Sequence, residues 1–238
     1  MEHNEIDAIK EEVKKEFKIE RLILFSDAVF AIVITLVAIE IKLPHFEEGK
    51  LTEELFNKAL IHLLPTIFAY VVSFGLIGVL WYGHLKLFSV LKNYDGGLVF
   101  RNLLFLFFVG LFPFGVSLGS DGTTSHGIVF RICIYLSIVS CGLFSMHLLN
   151  RYILISKPEL RDADADITEL ITKYKQAKLV SIGMPIVSFL MIITSAFIED
   201  PKKKVLAFVW IFPLSIIIWI KGIYMLRQQK LKKRAYNY

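Results

Sequence analysis

The chain has 238 residues, of which 55% are hydrophobic, and it includes 20 phenylalanines. A soluble domain averages about 45–50% apolar residues even with glycine counted, so the composition excludes an ordinary water-soluble fold. The formal net charge is +5, and it resides mostly outside the apolar runs, which points to membrane topology rather than to nucleic-acid binding.

The first 20 residues carry Glu2, Glu5, Asp7, Lys10, Glu11, Glu12 and Lys14 and are too charged for a signal peptide. Ile6, Ile9, Val13 and Phe17 recur at three- and four-residue spacing, one face of an amphipathic helix that runs into the first apolar run. A solvated helix that anchors the entry to the membrane accounts for it.

Spanning a bilayer takes about 20 apolar residues. Six stretches qualify, at 21–41, 59–82, 98–119, 127–149, 178–198 and 205–226. The expected fold class is therefore an all-α integral membrane protein with six transmembrane helices per chain. Residues 1–20 form a cytoplasmic amphipathic helix, 21–226 a single transmembrane domain and 227–238 a basic cytoplasmic tail suited to anionic lipid. No insertion between the spans is long enough for a core of its own.

Nineteen lysines and arginines fall on the side of the termini and six in the opposite loops. The positive-inside rule then places both termini in the cytoplasm, and an even number of spans agrees. The expected location is the plasma membrane, multi-pass.

The first span opens unusually. Arg21, Phe25, Ser26 and Asp27 head an otherwise apolar run, and charged groups in such segments are costly and face a protein interior or a water path. On a 3.6-residue helix, Phe25, Ile32, Leu36 and Ile39 form one stripe with Thr35 beside it. Asp27, Ala31, Ile34 and Ala38 form a second stripe. Small residues there favour close helix contact, and Asp27 needs a partner. Arg21, nearly two turns away on the same helix, and His84, in Trp81-Tyr82-Gly83-His84 near the same depth, are the two candidates. For His84, a headgroup-level histidine with Trp81 in the aromatic belt is the alternative reading.

The remaining signals are weak. Glu47, Glu48, Glu53 and Glu54 could concentrate cations outside a pore, but a solvated loop and helix cap explains them as well. Pro65, Pro113, Pro185 and Pro213 lie in or near spans, as membrane helices tolerate. Cys133 and Cys141 sit eight apart on one helix, unable to bridge each other, and read as small buried hydrophobes. Asp162, Asp164 and Asp166 resemble the start of a calcium loop, but Ile167 and Lys173 replace the required Gly and Glu. An acidic helix start, with Leu160, Ile167, Leu170, Ile171 and Tyr174 as its apolar face, fits better. His3, His45, His62, His84, His126 and His147 have no metal-ligand spacing. No catalytic or cofactor fingerprint is present, so neither an enzyme nor a cofactor is expected.

Arg21-x-x-x-Phe25-Ser26-Asp27, followed by Ala31-Ile32-x-Ile34-Thr35-Leu36, resembles the signature of the transmembrane protein 175 family of potassium channels. Six spans in one chain of this length are similar to its prokaryotic members. The resemblance implies a homotetramer in which the first helix of each subunit lines the pore. It implies constriction rings at Ile32, Leu36 and Ile39, with Ile32 narrowest and Thr35 contributing to selectivity. Arg21, Phe25, Ser26, Asp27, Trp81 and His84 would form a hydrogen-bonded signature network. Partners are potassium ions and lipid, not nucleic acid. No Thr-Val-Gly-Tyr-Gly run exists in the chain, so selection by a carbonyl cage is not expected. The competing reading is a proton-coupled secondary transporter using Asp27 and His84.

Overall fold

The computed structural model describes residues 2–42, 52–120 and 128–198. They are helical, and five segments are long and apolar enough to cross a membrane: Lys18–Ile39, Glu53–Phe88, Gly96–Leu118, Phe130–Ser156 and Thr168–Thr194. The expected sixth span at 205–226, the basic tail and the acidic pair Glu47 and Glu48 lie outside the described residues.

α1 (Glu2–Ile39) continues from the charged N-terminal stretch into the first span without a break. α2 (Glu53–Phe88) is capped by Thr52, whose hydroxyl accepts from the Leu55 N–H at 3.3 Å, with Glu53 and Glu54 in the first turn. There the carboxylates meet the positive end of the helix dipole, so this half of the acidic cluster has a structural role.

The third span is not one helix. α3 (Gly96–Gly110) stops, and α4 (Phe112–Ser120) restarts one residue later. Pro113 cannot donate a backbone hydrogen bond to position 109, which breaks the ladder where it would otherwise continue. The Leu111 N–H bonds back to Phe108 at 3.2 Å instead, in a tighter turn. By contrast α6 (Thr168–Phe197) carries Pro185 within a continuous helix.

α5 (Ile128–Arg151) runs on into a π turn at Tyr152–Ser156, closed by the Lys157 N–H on the Tyr152 carbonyl at 2.9 Å. A short 3₁₀ turn, Pro158–Leu160, follows. The linker then pairs with the α2–α3 loop: the N–H groups of Lys92 and Asn93 reach the Leu160 carbonyl, and that of Asp162 reaches Val90. Asp162 and Asp166 turn their carboxylates onto the backbone of Asp164 and Thr168. These are local turn and helix-start bonds. Leu160 is buried, and Leu170 and Tyr174 pack on the main core, as the apolar stripe of that helix required.

The core is a layer of α1, α2, α3, α4 and α5 side chains, with Phe30, Val37, Ile77, Phe105, Phe112 and Leu149 among them. In lipid, such packing is held by close contact and interhelical polar bonds rather than by exclusion of water. Hydroxyls inside the bundle therefore bond backwards to carbonyls four residues earlier, as Ser26 does to Leu22 and Ser73 to Ala69. Both cysteines are free; Cys133 is fully buried and Cys141 is partly so.

Candidate functional site

The first span divides into two opposed faces. Ser26, Phe30, Val33 and Val37 are at most 3% exposed and pack into the subunit. Their spacing of four, three and four residues is that of one helix face. On the other side Phe25, Ile32, Leu36 and Ile39 are 51%, 57%, 42% and 62% exposed. Arg21, Ala28 and Thr35 are exposed too, so an outward seam runs through 21, 25, 28, 32, 35 and 39. The Thr35 hydroxyl on this face donates to the Ile32 carbonyl at 2.8 Å, with Ala31 at 3.2 Å.

The aliphatic stripe read from the sequence is thus the face turned away from the subunit core. The packed face is different from the expected one. It is the Ser26 stripe, and Asp27 lies at its border rather than at its centre. Asp27 has a partner there: the Trp81 indole N–H donates to its carboxylate at 2.9 Å. Trp81 is 38% exposed, so the carboxylate sits at the edge of the packed bundle.

His84 does not pair with Asp27. Its Nε2 lies 2.8 Å from the Asn102 side-chain oxygen. The Asn102 amide nitrogen donates to Ser26 Oγ at 2.9 Å, and Ser26 donates onward to the Leu22 carbonyl at 2.9 Å. The chain of donors has one direction throughout: an amide oxygen can only accept, so His84 carries its proton on Nε2. Phe88 stacks on the imidazole at 4.0 Å between centroids, and Phe105 and Phe30 flank it at 5.8 Å. His84 Nδ1 has no hydrogen-bond partner among the described residues.

His84 is only 1% exposed, enclosed by the subunit's own side chains. The hydrogen bonds of Asp27 and His84 go to Trp81 and Asn102 respectively, so no hydrogen bond joins the two directly among the described residues. Of the six signature residues, Ser26, Asp27, Trp81 and His84 engage in these two contacts. Arg21 and Phe25 point outward, and neither hydrogen-bonds within the subunit among the described residues. Asn102, which joins all three helices, is absent from the sequence expectation. Its only sequence signal is a lone amide inside an apolar run. Among the described residues no group of three or more His, Cys, Asp or Glu side chains could hold a metal ion.

Five helices long and apolar enough to cross a membrane among the described residues define an all-α multi-pass membrane protein. Comparison with known proteins narrows the class. A family model described as endosomal/lysosomal potassium channel TMEM175 matches residues 21–113, from the signature arginine to the proline that breaks the third span. A potassium channel of Streptomyces collinus is 42% identical over 94 residues, 39% of this chain and 43% of its own length. The human endosomal/lysosomal proton channel TMEM175 is 36% identical over 98 residues, 40% of this chain and 19% of that protein. The crystal structure of a lysosomal potassium-selective channel TMEM175 homolog from Chamaesiphon minutus matches with a TM-score of 0.60 at 25% identity. It covers 86% of this chain and 98% of that one.

The segment that carries the Ser26–Asn102–His84 chain is thus the part of this chain that is similar to the TMEM175 family. The family is one of ion channels and not of enzymes. The alignments span 43–52% of the length of the bacterial relatives.

Proposed function

We propose that this chain forms a potassium-selective channel, a homotetramer in the plasma membrane of a prokaryote that conducts passively down the ion gradient. The observation that carries the reading is the division of the first span. One face is sealed into the subunit by Ser26, Phe30, Val33 and Val37, and the other offers Ile32, Leu36 and Ile39 outward. A seam with alternating four- and three-residue spacing suits packing of like helices round an axis. Relatives named as potassium channels support reading that axis as a pore rather than as a lipid contact.

In this reading Ile32, Leu36 and Ile39 form stacked apolar rings, and Thr35 sets a hydroxyl between them. Apolar constrictions gate by width and by dewetting. The unit is residues 21–226, including a sixth span at 205–226. Residues 1–20 and 227–238 lie in the cytoplasm and the basic tail meets anionic lipid. Ions pass as cargo, and no resident cofactor takes part.

The test is flux from purified protein in liposomes, potassium against sodium and against protons, with Ile32→Asn beside the wild type. Passive flux favouring potassium, altered by Ile32→Asn, is the expected result. No flux from folded wild type in any gradient sinks the reading.

A further inference from the structure

Asn102 is the one described side chain that ties the first helix to the second through the third. Its height along α1 depends on what fixes α3, and α3 is fixed at its start. Asp95 caps it, accepting the Leu98 N–H on Oδ1 at 2.7 Å. The other oxygen, Oδ2, accepts the Tyr152 hydroxyl at 2.6 Å. Tyr152 opens the π turn that ends α5, so one carboxylate joins the start of α3 to the end of α5.

The surrounding residues are built round that phenol. The Arg101 guanidinium lies 3.9 Å over the Tyr152 ring and donates to the Gly97 carbonyl at 2.9 Å. A Cβ at Gly97 would overlap the Tyr152 hydroxyl and come within 2.8 Å of its ring carbon. Only glycine allows the close approach. Ile153 and Leu154, the next two residues of the π turn, are buried in the core, so Tyr152 is not free to follow α3 if it moves. The residues before Asp95 are held as well, through the bonds of Lys92 and Asn93 to Leu160. π turns of this kind often occur at functional positions.

Asn102 lies seven residues after Asp95, two turns along and on the same face, or about 10 Å by helical rise. Leu98 fills the turn between them and is fully buried. We propose that Asp95 and Tyr152 are positioning residues for the Ser26–Asn102–His84 chain, and through it for the pore-lining first helix. The phenol–carboxylate clamp sets where α3 stands, and α3 in turn holds α1 by Ser26. The functional half of this inference rests on the channel reading above.

A double-variant cycle in the purified full chain tests it, Tyr152→Phe against Asn102→Ala. Tyr152→Phe removes one hydroxyl and keeps the ring beneath Arg101. Two quantities are read, the melting temperature in detergent and the potassium-over-sodium flux ratio in liposomes. Separated sites without shared partners add their effects. The clamp predicts instead that Tyr152→Phe alone lowers the flux ratio severalfold and adds little to either quantity in the Asn102→Ala background. An unchanged flux ratio in folded Tyr152→Phe, or additive effects in the double variant, overturns it. Ser26→Ala takes the place of Asn102→Ala if the latter does not fold. Should the wild type conduct nothing, the channel reading fails by itself. The melting cycle then decides the clamp, with coupling for it and additivity against it.

Discussion

Trp81 gives its indole N–H to Asp27 across 2.9 Å, while His84, three residues on, bonds Asn102 at 2.8 Å. Two neighbouring polar side chains of α2 thus serve different purposes. One gives a hydrogen bond to a carboxylate at the bundle's edge, and the other is locked in a chain that joins α1, α2 and α3.

That separation makes a prediction for Asp27. Asp27→Asn keeps an oxygen that can accept from Trp81, so the fold and passive flux persist. A proton-coupled transporter working through this carboxylate would stop. Flux of Asp27→Asn in liposomes, beside the wild type, distinguishes the two. Trp81→Phe instead strips the donor from the carboxylate and lowers stability by about 1.5 kcal/mol, as for a hydrogen bond to a charged group. Thermal melting in detergent reads that loss.

Asn102 is the more damaging position. It is fully buried, and Asn102→Leu leaves His84 Nε2–H without its acceptor and removes the donor to Ser26. Each buried group stripped of its partner costs about 1–3 kcal/mol. Asn102→Leu should therefore destabilise more than Trp81→Phe, and Ser26→Ala, which keeps the His84–Asn102 bond, less than Asn102→Leu. Comparing the three melting temperatures checks the order.

The contrast between these residues also explains what could be read in advance. The Phe25–Ile32–Leu36–Ile39 stripe follows from helical period alone, and the structure turns it away from the subunit core. Which of the other faces packs was not legible, because Ser26, Phe30, Val33 and Val37 carry no charge to mark them. The partner of His84 was out of reach for another reason. Asn102 reaches Ser26 across 76 positions of chain, and nothing local in the third span marks an amide as a bridge between helices. Pro113 was visible as an irregularity, but a break of the third span into two helices depends on how the turn after Gly110 closes.

Thr35 tests the outward face without disturbing the packed one. Its hydroxyl already bonds the Ile32 carbonyl at 2.8 Å, and the residue is exposed. Thr35→Val keeps the shape and removes the hydroxyl, so stability changes by less than about 0.5 kcal/mol, as at other surface sites. The potassium-over-sodium flux ratio falls if this face lines the pore. An unchanged ratio in folded Thr35→Val would assign the face to lipid or to a subunit contact without ions.

Gly97 gives a steric prediction. Its side chain would enter the space of a phenol held from both sides, by Asp95 at 2.6 Å and by Arg101 at 3.9 Å. Gly97→Ala must push the ring off its partners, although alanine is the better helix former by about 1 kcal/mol. A lower melting temperature for Gly97→Ala in the wild type, relieved when Tyr152 is also replaced by alanine, is expected. A rise in the wild-type background would mean that the ring moves freely.

Asp95 connects the same clamp to pH. Burial raises its pKa, but the hydrogen bonds from Tyr152 and the Leu98 N–H, with Lys157 and Arg101 nearby, outweigh that and hold the carboxyl below its ordinary value. A carboxyl lowered by folding contributes stability that is fully present above the unfolded pKa, about 3.9. The contribution fades as pH falls through the lower folded value, since the unfolded chain takes up its proton first. Melting temperature followed from pH 6 down to pH 3 should fall less steeply below about pH 4 in Asp95→Asn than in the wild type. The variant starts from a lower plateau, because a neutral amide caps α3 and receives the phenol less strongly than a carboxylate does. Parallel curves would place the ionisation of Asp95 outside the energetics of the clamp.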